Sequence, residues 1–353
     1  MNKFDYMSKY GYEQMVYFYD KETGLKGITC IHDTTLGPAL GGTRLWNYAT
    51  EEEAEVDVLR LARGMTYKAA AAGLNLGGGK TVLIGDADKV KSEAYWRAFG
   101  RYVQSLNGRY ITAEDVNTSP DDMDYVAMET DYITGLAKTS GDPSPYTAYG
   151  VFVGIKATCK ERLGVDTVEG IKVAVQGVGH VGYYLVKYLI EEGAVVTITD
   201  IKQDNIDRVT NDFDVTVVDP DAIYTVDCDV YAPCALGATV NDDTIDGFKC
   251  KVIAGAANNV LKDERHGKIL EEHGILYAPD YVINAGGLIN VYQEILGYDA
   301  DEAKKKTERI YDRLLDIYRI AKENNMTTVE AANKMAEDRI QTMKNVRSNY
   351  IKR

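Results

Sequence analysis

Residues able to do chemistry on a small molecule gather in two short stretches of the chain. Gly77-Gly78-Gly79 runs into Lys80, with Lys68 upstream, and Glu114-Asp115 follows the β-like run Tyr110-Ile111-Thr112. The glycines suggest a phosphate-binding P-loop, but that motif needs another glycine where Leu74 stands. A lysine in a glycine-rich loop can still approach a substrate closely, and a second cation nearby lowers its pKa by like-charge repulsion. Lys68 is the candidate neighbour; the alternative is two solvated surface lysines. Glu114 and Asp115 offer either a proton shuttle or charges that cap the following helix, for which Ser119 with Asp122 is the better cap. Spacing does not choose between these readings.

A third stretch has context as well as pattern. Gly177-Val178-Gly179-His180-Val181-Gly182 is a full G-x-G-x-x-G between a strand candidate and a helical stretch, and Asp200 closes the next β-rich run. That is the layout of a dinucleotide-binding βαβ unit: one glycine for the tight turn, one for approach of the pyrophosphate to the helix N-terminus, one for close helix–strand packing. Asp200 would bind the adenosine ribose hydroxyls and repel a 2′-phosphate, which points to NAD rather than NADP. Lys202 would partly offset that repulsion, which leaves some NADP use open. His180 reads as a solvent-facing residue beside the phosphates. Four scattered histidines and no C-x-x-C pair suggest no metal centre, and no Ser-His-Asp pattern stands in its usual contexts. What remains is redox chemistry on NAD, assisted by lysine and aspartate.

The elements that must position these residues follow from periodicity and turn signals. Thr50 and Glu53 form a capping-box signature for a helix over 51–70, with Ala54, Val58, Leu61, Ala62 and Met65 at helical spacing. Leu74 to Lys80 reads as a loop and Thr81–Ile84 as a short strand. The breaker-rich segment at 138–145 marks the main domain boundary. Beyond it, a helix over 149–163 precedes an alternation of helices with strand candidates at 172–176, 195–199, 229–232, 252–254 and 276–278, the pattern of a parallel sheet with crossover helices. Amphipathic segments at 310–321 and from a Thr328 cap to Ile340 are expected to return to the first domain.

Length and composition agree with that plan. The 353 residues exceed one ordinary core and suggest two domains, and 45% hydrophobic with 27% charged residues is the make-up of a globular chain. A net charge of -14 repels nucleic-acid backbones and anionic membrane surfaces, so neither is an expected partner. No signal-peptide core and no membrane-length apolar run stand out, so a cytoplasmic location is expected. Cys30, Cys159, Cys228, Cys234 and Cys250 read as buried thiols rather than a disulfide framework.

At the motif level the chain resembles the amino acid dehydrogenases of the glutamate, leucine, phenylalanine and valine group. The resemblance rests on Gly37-Pro-Ala-Leu-Gly-Gly-Thr-Arg44, Gly64-Met-Thr-Tyr-Lys68, Ala70-Ala-Ala-Gly-Leu-Asn-Leu-Gly-Gly-Gly-Lys80, Tyr110-Ile-Thr-Ala-Glu-Asp-Val116, Ala232-Pro-Cys-Ala-Leu-Gly-Ala-Thr-Val-Asn241 and Tyr277-Ala-Pro-Asp-Tyr-Val-Ile-Asn-Ala-Gly-Gly287, spread over nearly the whole chain. It implies an α/β protein of two domains. Residues 1–140 with about 325–353 would form a substrate-binding and oligomerisation domain, and 145–324 a Rossmann-type NAD domain. It implies that Lys68, helped by the Gly41 backbone, binds the substrate α-carboxylate, that Lys80 is the base that activates water, and that Asp115 shuttles protons to and from the substrate nitrogen. Thr147, Cys234, Asn258 and Asn284 correspond to the family's contacts with the nicotinamide half, joining Gly177–Gly182 and Asp200; Asn259 is a possible sharer of the Asn258 role.

The side-chain pocket of the family's aliphatic-specific members corresponds to Leu40, Ala113, Leu288 and Val291. No charge there meets a glutamate side chain, so the expected substrates are branched-chain L-amino acids, deaminated reversibly to 2-oxo acids and ammonium. Phenylalanine is the alternative, weakened by alanine rather than glycine at 113; a non-catalytic NAD-binding protein is the alternative from another class. Leu288 stands where those members typically carry a smaller valine, and Asn117 where they carry glycine. The family also implies a homo-oligomer, commonly an octamer.

Overall fold

A computed structural model of the chain describes residues 2–136, 139 and 141–346. Lys138 and Ser140 of the expected boundary segment, and the tail past Val346, lie outside the described residues. The chain divides into two compact units. The first runs up to Asp142 and includes Val291–Tyr298 and the helical residues from Ala336; the second comprises Pro143–Asn290 and Asp299–Met335. The division therefore falls inside the last helix, Thr328–Val346, rather than near residue 325. Arg339 shows why the end of that helix belongs with the first unit: its guanidinium donates to the Leu74 carbonyl at 2.7 Å and to Asn75 Oδ1 at 2.9 Å.

The first unit is built on a mixed sheet of β1 (Gln14–Tyr19), β2 (Lys26–Asp33), β3 (Ala39–Trp46), β4 (Gly77–Ile84) and β5 (Tyr110–Glu114), in spatial order β1-β2-β4-β3-β5. β3 runs parallel to both β4 and β5, and β2 antiparallel to β4. The Gly77–Lys80 segment, expected as a loop, is the first half of β4. The glycines serve close approach rather than turning: a Cβ at Gly78 would stand 2.1 Å from the Thr66 backbone nitrogen, and one at Gly77 2.0 Å from the Asp33 carbonyl oxygen. The Glu51–Ala71 helix can therefore lie directly on β4. One sheet face packs Ile28, Cys30 and Val82 against Val58 and Ala62 of that helix. The other packs Ile31, Leu45 and Leu83 against Trp96, Phe99 and Val126 of helices Glu93–Ser105 and Pro120–Ala127. Thr50 caps the Glu51–Ala71 helix as expected, accepting from Glu53 N, but Glu53 returns its carboxylate to Ala49 N and not to the cap. Ser119 and Asp122 do form a full capping box.

The second unit carries an all-parallel sheet of β6 (Lys172–Gln176), β7 (Val195–Thr199), β8 (Thr216–Val217), β9 (Val230–Pro233), β10 (Val252–Ile253) and β11 (Leu276–Tyr277), in order β11-β10-β9-β6-β7-β8. The direction of strand progression reverses between β6 and β9, so the carboxyl end of β6 is the switch point at which such sheets bind ligands. The two exposed residues of β8 give no apolar pattern, and the sequence reading passed over them. The helix after the boundary starts at Ser144, earlier than its apolar periodicity shows. Ile310–Asn324 packs within this unit, where Leu314 meets Gly154 and the Tyr318 hydroxyl lies 2.7 Å from Thr158 Oγ1. The last helix is capped by Thr327 rather than Thr328: Thr327 Oγ1 accepts from Glu330 N while Glu330 accepts from Thr327 N.

Candidate active site

Lys80 and Asp115, distant in sequence, meet in the first unit. Lys80 Nζ lies 2.9 Å from Asp115 Oδ2, and the lysine is only 5% exposed. Alternation along the strands explains the meeting. Leu40, Gly42 and Arg44 of β3 share a face with Gly78 and Lys80 of β4 and with Ala113 and Asp115 at the end of β5, the strands being paired as Leu40–Gly78, Gly42–Ala113 and Thr43–Glu114. Glycine at 42 leaves room for the carboxylate, since a Cβ there would stand 2.9 Å from that of Asp115. On the opposite face the Tyr110 hydroxyl donates to the Gly41 carbonyl at 2.5 Å and fixes that backbone. Asp115 is thus the acid that meets the lysine; Glu114 points to the other face, half-buried, with burial raising its pKa.

Arg44 completes the cluster, and the sequence reading had no role for it. Its Nε donates to the same Asp115 Oδ2 at 3.1 Å, and its guanidinium reaches Asp57 Oδ2 at 3.0 Å, which also accepts from the Tyr48 hydroxyl at 2.6 Å. Burial lowers the Lys80 pKa from the ordinary 10.5; Asp115 opposes that shift without overcoming it, and Arg44 adds to it. For Asp115, burial pushes the carboxyl up, but Lys80 and Arg44 together hold it below the usual carboxylate range. Arg44 is therefore a like-charge neighbour that favours a neutral Lys80, in addition to the Lys68 expected from sequence. Lys68 is half-buried in the last turn of the Glu51–Ala71 helix, just past the Thr66 contact with Gly78. Asn117 sits at φ 57°, a left-handed conformation, and its Nδ2 donates to the Leu45 carbonyl at 3.1 Å. Asparagine tolerates that region better than other non-glycine residues.

In the second unit the three glycines divide their work. Gly177 turns the chain at φ 92° against Ala235, a Cβ at Gly182 would collide with the Gly177 carbonyl oxygen at 2.1 Å, and a Cβ at Gly179 would meet nothing within 4 Å. Only the middle glycine faces open space, and the His180–Glu191 helix begins directly after it with first-turn amides that have no carbonyl one turn earlier. Such a cradle fits a pyrophosphate. Val178 is buried and its N–H goes to Asp200 Oδ2 at 2.8 Å, so its part is to tie the loop to β7. His180 and Val181 open the helix. Asp200 Oδ1 accepts from Lys202 N at 2.8 Å, while the Lys202 side chain is exposed. Arg208, also missed from sequence, donates to the Val178 and Gly179 carbonyls at 3.0 Å and holds the loop from outside.

Thr147, Cys234, Asn258 and Asn284 fall around the carboxyl ends of these strands. Asn284 Nδ2 donates to Asn258 Oδ1 at 2.8 Å, and Thr147 Oγ1 lies against Gly287, where a Cβ would be 2.6 Å away. Burial pushes the Cys234 thiol up to about 12, which keeps it protonated and unreactive. Asn259 stands at φ 52° and its carbonyl accepts from Ala238 N. Leu288 and Val291 are buried one turn apart on helix Gly286–Leu296.

Comparison with known proteins shows the family. Residues 13–132 match the family model described as Glu/Leu/Phe/Val dehydrogenase, dimerisation domain, and residues 140–347 the model for Glutamate/Leucine/Phenylalanine/Valine dehydrogenase. The chain is 60% identical to a leucine dehydrogenase of Thermoactinomyces intermedius, over 99% of this chain and 97% of that one. It is 58% identical to the leucine dehydrogenase of Bacillus subtilis (strain 168), again over 99% and 97%. The crystal structure of L-tryptophan dehydrogenase from Nostoc punctiforme superposes with a TM-score of 0.89 at 47% identity, covering 97% of this chain and 99% of that chain.

Proposed function

The chain belongs to the Glu/Leu/Phe/Val dehydrogenase family, and from that premise we propose that it catalyses the reversible, NAD-dependent oxidative deamination of branched-chain L-amino acids. The observation that carries the reading is the pairing of buried Lys80 with half-buried Asp115 on a sheet face whose neighbouring side chains, Leu40 and Ala113, are apolar. NAD held at the Gly177–Gly182 loop would supply the acceptor for the hydride of the substrate Cα. The protein's own residues do the rest. Lys68, with the Gly41 backbone, holds the α-carboxylate. Asp115 takes a proton from the substrate nitrogen as the imine forms and returns one when ammonia leaves. Neutral Lys80 takes a proton from the water that adds to the imine carbon, so the carbinolamine collapses to 2-oxo acid and ammonium.

NAD is favoured over NADP by Asp200, whose carboxylate is fixed at the end of β7 by two backbone amides and lies where a 2′-phosphate would be repelled. The cofactor's nicotinamide half falls to Thr147, Cys234, Asn258 and Asn284, its pyrophosphate to Gly177–Gly182. The substrate side chain is assigned to Leu40, Ala113 and Val291 of the first unit. A cytoplasmic homo-oligomer, an octamer on the family pattern, completes the proposal; a monomeric mass in light scattering would remove that part.

The test is NADH formation with L-leucine, L-isoleucine, L-valine, L-phenylalanine and L-glutamate, repeated with NADP. The expected order puts an aliphatic substrate first, glutamate last and NAD ahead of NADP. A lead for phenylalanine would overturn the pocket assignment. Silence across the panel with NADH binding intact would leave a non-catalytic dinucleotide-binding protein.

A further inference from the structure

The proposed reaction asks two opposite things of neighbouring groups: Lys80 must shed its proton while Asp115, 2.9 Å away, stays ionised. A lone lysine–carboxylate pair resists this, because each charge stabilises the other. The structure supplies a third and a fourth charge. Arg44 donates to the Asp115 oxygen that Lys80 also contacts, and is itself held by Asp57, whose other partner is Tyr48. With Arg44 present, Asp115 keeps a permanent cationic partner when Lys80 becomes neutral. Without it, deprotonating Lys80 would remove the second of the two cations that the described residues place against Asp115.

We infer that Arg44 is a positioning residue for the reaction, holding Asp115 ionised and in place while its fixed charge lets Lys80 lose a proton, with Asp57 as the counterweight that sets how far. The inference rests on the base role given to Lys80 above. The groups around Lys80 are accounted for by element: Arg44 on β3, Glu114 and Asp115 at the end of β5, Asp57 and Lys68 on the Glu51–Ala71 helix, Tyr48 after β3, and Cys30 across the pair on β2, with His32 and Asp33 farther along that strand. Among these, Arg44 alone both touches Asp115 and carries a charge that persists at every working pH. The register makes the arrangement possible: Arg44 pairs with Val82, two residues past Lys80 on the same face.

The experiment compares pH profiles of kcat for the wild type, Arg44→Met, Arg44→Lys and Asp57→Asn with one aliphatic substrate, so that the substrate's own titration is common to all. Removing the Arg44 cation raises the Lys80 pKa, so Arg44→Met should move the acid limb to higher pH by about one unit or more. Its maximal kcat should fall about a hundredfold as Asp115 loses its anchor. Asp57→Asn removes an anion and should move the limb the other way. Arg44→Lys should restore the limb but not all of kcat, since an ammonium does not span two carboxylates as a guanidinium does. A part confined to folding would lower thermal stability in these variants and move neither limb. Unmoved limbs in both Arg44→Met and Asp57→Asn overturn the inference. Should the wild type turn over no amino acid, the reading of function fails by itself. The pH dependence of Lys80 acetylation by acetic anhydride, read by peptide mass in the cofactor-free protein, still tests Arg44 through the same opposite shifts.

Discussion

The two units solve the problem of holding a ligand with different materials. In the second unit the work is done by backbone: a turn at Gly177, an open approach at Gly179, a helix start at His180, with Asp200 and Arg208 tying the loop from either end. In the first unit it is done by side-chain charge: Lys80, Asp115, Arg44 and Asp57 converge from three strands and a helix onto one partly buried cluster. Backbone cradles fail when a Cβ is added. Charge clusters fail when a charge is removed, because the half-buried partners left behind lose part of their compensation.

The sharpest break of this contrast is Lys80→Ala. It should lower kcat by about 10²–10⁴-fold, the range a positioned general base contributes, and leave reduced-cofactor binding in the second unit unchanged in a fluorescence titration. Asp115→Asn should follow it, with a smaller loss. If Lys80→Ala also abolished cofactor binding, the two units would not be as separable as their construction suggests.

Next in size is a pair of alanines in the glycine loop. Gly182→Ala places a Cβ 2.1 Å from a backbone oxygen that cannot move aside cheaply, so about 1–3 kcal/mol of stability and the cofactor affinity should fall together. Gly179→Ala meets open space, so thermal stability should hold while dinucleotide affinity drops, because the methyl occupies the pyrophosphate's approach. Equal loss of stability in both variants would contradict the division of labour. A smaller effect is expected at Ala113, which shares its face with Leu40 and Asp115. Ala113→Gly should shift the ratio of kcat/KM for phenylalanine over leucine upward by about tenfold, within the 10–200-fold that a small change in an apolar pocket is worth.

The same contrast explains what the sequence made legible. The dinucleotide loop is local: its glycines, the flanking strands β6 and β7 and Asp200 lie within one βαβ unit, so spacing alone located them and gave the bounds of both strands. The charge cluster is non-local. Lys80 and Asp115 were named through motifs, but Arg44, Asp57 and Tyr48 acquire meaning only from the order β4-β3-β5, which no periodicity discloses. The Gly77–Gly79 run misled for a related reason: a glycine needed for close approach of a helix looks, in one dimension, like a glycine needed for a turn. Alternation in β3 was a usable signal, since Leu40, Gly42 and Arg44 fall on one face, but that strand was not recognised as one.

The least of the expected effects separates the units by pH. His32, 5% exposed, has Nε2 3.0 Å from the Tyr10 carbonyl and Nδ1 2.8 Å from Thr66 Oγ1. A carbonyl can only accept, so Nε2 carries the proton and Nδ1 accepts from Thr66, and burial holds the imidazole neutral with its pKa lowered from the ordinary 6.5. The unfolded chain thus takes up a proton below pH 6.5 that the folded one refuses. The stability His32 contributes is therefore present above that pH and lost as pH falls toward the folded value, with a slope of at most about 1.4 kcal/mol per pH unit. His273 of the second unit has its pKa raised, first by the Ile269 carbonyl, so its contribution has the opposite sign, lost as pH rises, and its exposure leaves little of it. Mild acid should accordingly loosen the first unit before the second, beginning where Thr66 rests on Gly78 and so beside the strand that carries Lys80. Thermal unfolding followed between about pH 7.5 and 5 should show a stability slope in the wild type that is reduced in His32→Gln. Equal slopes in the two proteins would mean that the acid sensitivity, if any, resides elsewhere.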